Sequence, residues 1–263
     1  MLFRSKETYT EGEVRNIADS FIDTIEKETM KDKENSPNSQ NTLNMAPLLS
    51  DEQIVQGMTD LFGGGFDTSS TTLNWALAYL IKYPDIQCQL QEELDHVVGR
   101  ERLPVLEDLA SLPLLQATVY ELIRVTSLAP LSVPRSTTAE TKFRDFVIPK
   151  DTMVFVNLWS VHRDPKIWKD PHVFNPWRFL KGAGELIDPK SFGGFLPFSA
   201  GRRKCPGEPL ALKTIPVFLA TLLHHFRFSQ EGLPEEYQGI NLEGNCGLTL
   251  TPDKFYVRIE ERL

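Results

Sequence analysis

A single cysteine stands behind three consecutive cations in FSAGRRKCPGE, residues 198–208, with a glycine on either side. A thiol acts as nucleophile or metal ligand only once ionised. Arg202, Arg203 and Lys204 favour that form at Cys205, and a helix beginning near Gly207 adds the positive end of its dipole and unpaired backbone N–H groups. Gly201 and Gly207 let the backbone approach a bulky flat partner, and Pro206 limits the loop's freedom. The same stretch also reads as a surface loop with an incidental cysteine. A cysteine nucleophile would need a histidine base. His162, His172, His224 and His225 are present, but none lies in a recognisable partner motif.

Two further constellations carry chemistry. In YELIRV, Glu121 and Arg124 are three apart on one helical face and can pair. Such pairs are common, and exposed ones are worth under about 1 kcal/mol. In GGGFDTS, residues 63–69, three glycines precede Asp67 and Thr68. A notch for helix packing is one reading of it; a phosphate-cradling loop is a poorer one, because no Gly-Lys-Ser/Thr follows.

The elements that must hold these residues follow from periodicity and punctuation. Val14, Ile17, Ala18, Phe21, Ile22 and Ile25 recur at helical spacing, which predicts a helix over 11–29. Residues 31–44 are polar and nearly free of apolar side chains, which predicts a flexible connector over 31–49. Ser50 and Gln53 have capping-box spacing and Pro84 marks a stop, so one helix is expected over 50–82. Each mid-helix glycine costs about 1 kcal/mol against alanine, so something must be gained there. Further helices are expected over 84–99, 112–127 and 207–226, the last bent at Pro216. DFVIPKDTMVFVNLW reads as two short β runs around a Pro-Lys-Asp turn, and GLTLTPDKFYVRIE as a hairpin around Pro252-Asp253. Many prolines and glycines and little periodicity predict an ordered meander over 163–197. The fold class is mainly α with small β-sheets.

With 263 residues, 41% hydrophobic, the chain can build a sizeable core, and its net charge of −8 gives no reason to expect nucleic acid as a partner. Cys88, Cys205 and Cys246 show no short spacing, which argues against a zinc ribbon or disulfide framework and fits a reducing environment. No run of about 18 apolar residues is present, so no anchor is expected in this chain.

Read together, the motifs identify a resemblance. FSAGRRKCPG matches Phe-x-x-Gly-x-Arg-x-Cys-x-Gly, the haem-binding loop of the cytochrome P450 haem-thiolate monooxygenases. The resemblance implies the C-terminal half of that fold, an incomplete single haem domain, and a haem b as the flat partner. Residues 198–207 would be the haem-thiolate loop, with Cys205 as axial ligand to iron. Arg203 would bind one haem propionate, Arg135 in LSVPRST would face the second, and Phe198 would pack beside the sulfur. Glu121 and Arg124 resemble the family's Glu-x-x-Arg pair, joined by an arginine from the meander, here Arg178 in NPWRF. Trp177 stands where the family usually has glutamate, and leaves Arg178 in place.

GGGFDTS resembles the family's oxygen-binding groove. The glycines would let the helix open locally, Thr68 would donate a hydrogen bond at the oxygen site, and Asp67 would relay a proton inward. Asp60, Gly64, Phe66, Ala129 and Leu248 would line the substrate pocket. The resemblance is greatest to microsomal members that oxidise aryl hydrocarbons, with the steroid 17α-hydroxylases next. It implies NADPH-derived electrons delivered by a flavin reductase, dioxygen and a small apolar substrate, at the cytoplasmic face of the endoplasmic reticulum. Chains of the family are roughly twice as long, so the resemblance implies that the membrane anchor, early helices and much of the substrate roof lie outside this sequence. A catalytically silent haem-binding or regulatory fragment is the alternative.

Overall fold

The computed structural model describes residues 5, 7–10, 13–16, 18–25, 27, 50–182 and 184–262. Within the segment expected to be helical over 11–29, residues 18–25 are helical; the connector expected over 31–49 lies outside the described residues. Contacts divide the chain into two compact units, Met1–Phe66 and Asp67–Leu263.

In the first unit Ala18, Ile22 and Ile54 form a small core, with Phe21 and Met58 against it. The expected capping box forms: the Ser50 N–H donates to Gln53 Oε1 at 2.8 Å, and the Gln53 N–H donates to Ser50 Oγ at 3.3 Å. It starts the long helix α1, Asp51–Lys82, whose 32 residues span about 48 Å at 1.5 Å per residue. The glycines do not open it. α1 runs unbroken through Gly63, Gly64 and Gly65, because each retains its place in the i to i−4 ladder. What they provide is room: a β-carbon at any of the three meets no atom within 4 Å.

The second unit packs the C-terminal turns of α1 with α2 (Pro84–Val97), α3 (Pro113–Thr126) and α5 (Glu208–His225). Trp75 and Leu80, Leu90 and Leu94, Leu115, Val119 and Leu122, and Leu219 and Leu223 fill one core between them. α2 and α3 both start with proline at a first-turn position, where its missing N–H costs nothing. α3 stops at Ser127, whose φ of 46° breaks the helix. α5 continues through Pro216, which is buried. A short helix α4, Leu158–Val161, precedes the meander. There Trp168, Phe179 and Phe195 pack on Ala117 of α3 as a second apolar cluster.

The β structure consists of two-stranded antiparallel pairs, and two of them depart from expectation. β1 (Arg135–Ser136) pairs with β4 (Met153–Val154), and β2 (Thr141–Phe143) with β3 (Phe146–Ile148). The two β runs around Pro149-Lys150-Asp151 therefore do not pair with each other. The turn instead returns the chain to Thr137, whose carbonyl accepts the Asp151 N–H at 2.8 Å and whose hydroxyl accepts the Thr152 N–H at 2.9 Å. β5 (Leu180–Lys181) pairs with β6 (Glu185–Leu186) inside the meander. β7 (Phe226–Ser229) pairs with β10 (Arg258–Glu261), and β8 (Asn245–Cys246) with β9 (Leu250–Thr251). No hairpin forms around Pro252-Asp253, because Asp253 accepts from the side chains of Asn241 and Asn245 and closes the preceding loop.

Candidate active site

Two fully buried charges lie on α3. Glu121 and Arg124 are both fully buried and pair at 2.7 Å, one helical turn apart. A second bond of 2.8 Å from Arg124 Nη2 makes the contact bidentate. Arg178, supplied by the meander, brings its Nε to 2.9 Å from Glu121 Oε2 with its side chain only 8% exposed. The Asn175 N–H donates to the other Glu121 oxygen at 2.8 Å. The remaining guanidinium donors reach carbonyls: Arg124 Nη1 donates to His162 and Pro171, and Arg178 to Lys169, Asp170 and Val173. The Arg124 guanidinium also lies over the Trp168 ring at 5.2 Å. One carboxylate and two guanidiniums thus bond to the chain at seven positions between 162 and 178, the first part of the meander.

Downstream of that meander, the cysteine loop closes on itself. The Cys205 N–H donates to the Phe198 carbonyl at 2.9 Å, and the Ser199 N–H to Leu196 at 2.9 Å. Gly201 and Ser199 take positive φ, 76° and 63°, which turns the chain tightly enough for residues 198 and 205 to meet. Cys205 is exposed, three residues before Glu208 at the start of α5, and a β-carbon at Gly207 would stand 3.6 Å from its sulfur. Phe198 is half-buried against the main core. Arg135 Nη2 donates to Ser199 Oγ at 3.1 Å and to the Arg203 carbonyl at 3.2 Å, so the side chain expected at a propionate also ties the loop to β1. Arg203 itself is exposed.

Asp67 is exposed and Thr68 half-buried; the Thr68 carbonyl accepts the Thr72 hydroxyl at 2.8 Å. Thr68 and Trp75 are seven residues apart, hence on the same face of α1. The Trp75 indole donates to the Leu250 carbonyl at 2.8 Å, and the Leu250 N–H donates to Leu128 at 2.7 Å. The β8–β9 turn that presents exposed Leu248 is therefore joined to the segment carrying Ala129, on the side of α1 that also bears Thr68. A side chain at Gly244 would strike Trp75 and the Thr251 carbonyl at 2.6 Å, so this close approach requires glycine. Asp60, Gly64 and Phe66 belong to the first unit, where Asp60 accepts from Gln56 at 2.7 Å and Phe66 stacks on Phe62 at 6.0 Å.

The cytochrome P450 family model matches residues 4–259. This chain belongs to the cytochrome P450 family. It is 36% identical over 255 residues to cytochrome P450 1A1 of Limanda limanda, covering 97% of this chain and 46% of that one. It is 38% identical over 257 residues to the steroid 17-alpha-hydroxylase/17,20 lyase of Oryzias latipes, covering 98% of this chain and 48% of the relative. A zebrafish cytochrome P450 solved with abiraterone superposes with a TM-score of 0.80 at 33% identity, over 99% of this chain and 56% of that structure. The chain thus spans about half the length of the curated relatives it matches, and its fold is that part of the P450 fold.

The donor set of this P450 suits a haem. Among the described residues no three His, Cys, Asp or Glu side chains cluster to hold a metal ion. An iron at Cys205 would take its other ligands from a macrocycle, and a porphyrin brings four. For the cysteine-nucleophile alternative, His162 bonds to Leu196 and Ser127, His224 to Gly99 and His225 to Thr221, and among the described residues no hydrogen bond joins Cys205 to these or to His172. No helix among the described residues is long and apolar enough to cross a membrane.

The sequence offers no partner motif for His162 and none for Ser127 or Asn175; in the structure His162, in a proline-punctuated His-Arg-Asp-Pro run, is fully buried. Burial pushes its pKa from 6.5 down to about 3, with the Arg124 and Arg163 guanidiniums adding to the effect.

Proposed function

We propose that this chain carries the catalytic motifs of a haem-thiolate monooxygenase that inserts one atom of dioxygen into an apolar xenobiotic or steroid. One observation carries the reading: the exposed thiol of Cys205 heads α5 on a loop that follows a meander held by buried charges. Cys205 would hold the iron of haem b and Arg203 and Arg135 its propionates, with Phe198 packed beside the sulfur and Gly201 and Gly207 letting the backbone come close. When bound, haem supplies the redox centre at which dioxygen is reduced and cleaved. Thr68 would donate a hydrogen bond on the oxygen side, and Asp67 would bring protons from solvent, which its exposure favours. Ala129 and Leu248, joined through Leu128 and Leu250, would contact substrate. Glu121, Arg124 and Arg178 would be structural. Electrons would come from NADPH through a flavin reductase at the cytoplasmic face of the endoplasmic reticulum.

The second reading, a silent haem-binding or regulatory form, draws on one observation. Phe66, Leu210 and Leu248 are 68%, 61% and 69% exposed, so apolar surface stands uncovered in this chain. Residues 1–263, mixed with haem, reductant and carbon monoxide, should give the red-shifted band of thiolate ligation, and Cys205→Ser should erase it. Turnover of an aryl hydrocarbon or steroid with reductase added supports the first reading; the band without turnover supports the second. A band that persists in Cys205→Ser means another ligand and overturns both.

A further inference from the structure

His162 joins two regions that the monooxygenase reading treats separately. Its Nε2 accepts the Leu196 N–H at 3.1 Å, and its Nδ1 lies 2.9 Å from Ser127 Oγ. Leu196 in turn accepts the Ser199 N–H, one residue beyond the Phe198 carbonyl that holds Cys205. On the other side, Ser127 Oγ donates to the Arg124 carbonyl at 2.9 Å, and the His162 carbonyl accepts Arg124 Nη1 at 2.7 Å.

The geometry assigns His162 a positioning role: a neutral imidazole that ties the buried Glu121–Arg124–Arg178 cluster to the segment from which the Cys205 loop hangs. The inference rests on the haem-thiolate reading only for its consequence at the iron; the tie itself does not.

The bonding pattern selects one tautomer. A backbone N–H can only donate, so Nε2 must keep its lone pair and the ring proton must sit on Nδ1, facing Ser127. A second proton would set an Nε2–H against the Leu196 N–H and release that bond. The charged and titratable groups around the ring oppose such protonation. Arg124 bonds to its carbonyl, Arg163 donates to the same Ser127 hydroxyl at 3.1 Å, and Glu121 is already neutralised by Arg124 and Arg178. Tyr79, itself pushed up to about 12 by burial, supplies no anion. The tie is therefore a latch that strong acid opens.

The test uses the 263-residue chain, with and without added haem, as wild type, His162→Gln and His162→Phe. Glutamine can still accept from Leu196 but cannot be protonated; phenylalanine fills the space and accepts nothing. Without haem, amide hydrogen exchange at Leu196 and Cys205 should rise about tenfold in His162→Phe, the loss of roughly one net hydrogen bond, and stay near wild type in His162→Gln. With haem, the thiolate carbon monoxide band of wild type should fade on acidification, and His162→Gln should keep it to lower pH. Equal loss of protection in both variants, or the same pH profile in wild type and His162→Gln, overturns the assignment. Should His162→Phe fail to fold, the wild type and His162→Gln comparison still decides. A wild-type chain with no thiolate band refutes the haem reading, while the exchange data still judge the tie.

Discussion

The cluster on α3 and the cysteine loop solve opposite problems. Glu121 and Arg124 are fully removed from water, and each is met by several partners. Cys205 is exposed on a loop closed by a few backbone bonds and two from Arg135. Burial makes the first region costly to disturb, because removing one member leaves the others charged and unsolvated. Exposure makes the second cheap to alter and open to a partner. Stability sits in one region and the proposed reactivity in the other, with His162 between them.

The largest effect expected is at Glu121. Glu121→Ala strands Arg124 and Arg178 without an anion, at a cost of about 3–5 kcal/mol. The variant should be insoluble or take up no haem; a soluble form with a normal thiolate spectrum would break the contrast.

Next is the pH response of His162. Its pKa is about 3 folded and 6.5 unfolded, so the unfolded chain holds the extra proton between those values. Its contribution to stability is complete above pH 6.5 and is lost as pH falls toward 3. Urea midpoints should show wild type losing stability relative to His162→Gln as pH falls across that window; a constant difference refutes the neutral-ring assignment.

Arg135→Ala removes the two bonds to Ser199 and Arg203, and should loosen residues 199–205 by about 1 kcal/mol without unfolding the core. Amide exchange confined to that loop checks it, and a global loss of protection contradicts it. Smallest in stability is Thr68→Ala. Haem binding and melting should stay unchanged while more reducing equivalents appear as peroxide; unchanged coupling counts against Thr68 at the oxygen site.

Local signals were legible where one residue type has one physical use. Proline in the first turn opened α2 and α3, Gly99 at φ +75° followed α2, and Ser50 with Gln53 capped α1. Strand pairing was not legible. The β2–β3 turn places Arg144 at φ 52°, without the Asn-Gly or Asp-Gly signature that marks tight hairpins. The true partner of residues 153–154 lies across a turn whose bonds go to Thr137. The motif residues could be found by type and spacing, but Arg135's grip on Ser199 and the place of His162 could not.

By itself, the order of residues determined the helices, the family and the thiol at position 205, because periodicity, caps and motif spacing act over a few neighbours. Only the tertiary structure decided which carbonyls Arg124 and Arg178 satisfy, that Trp75 reaches Leu250, and that His162 is neutral. Those outcomes depend on which distant groups are buried together, and burial sets both the bonds a polar atom must make and the charge it can carry.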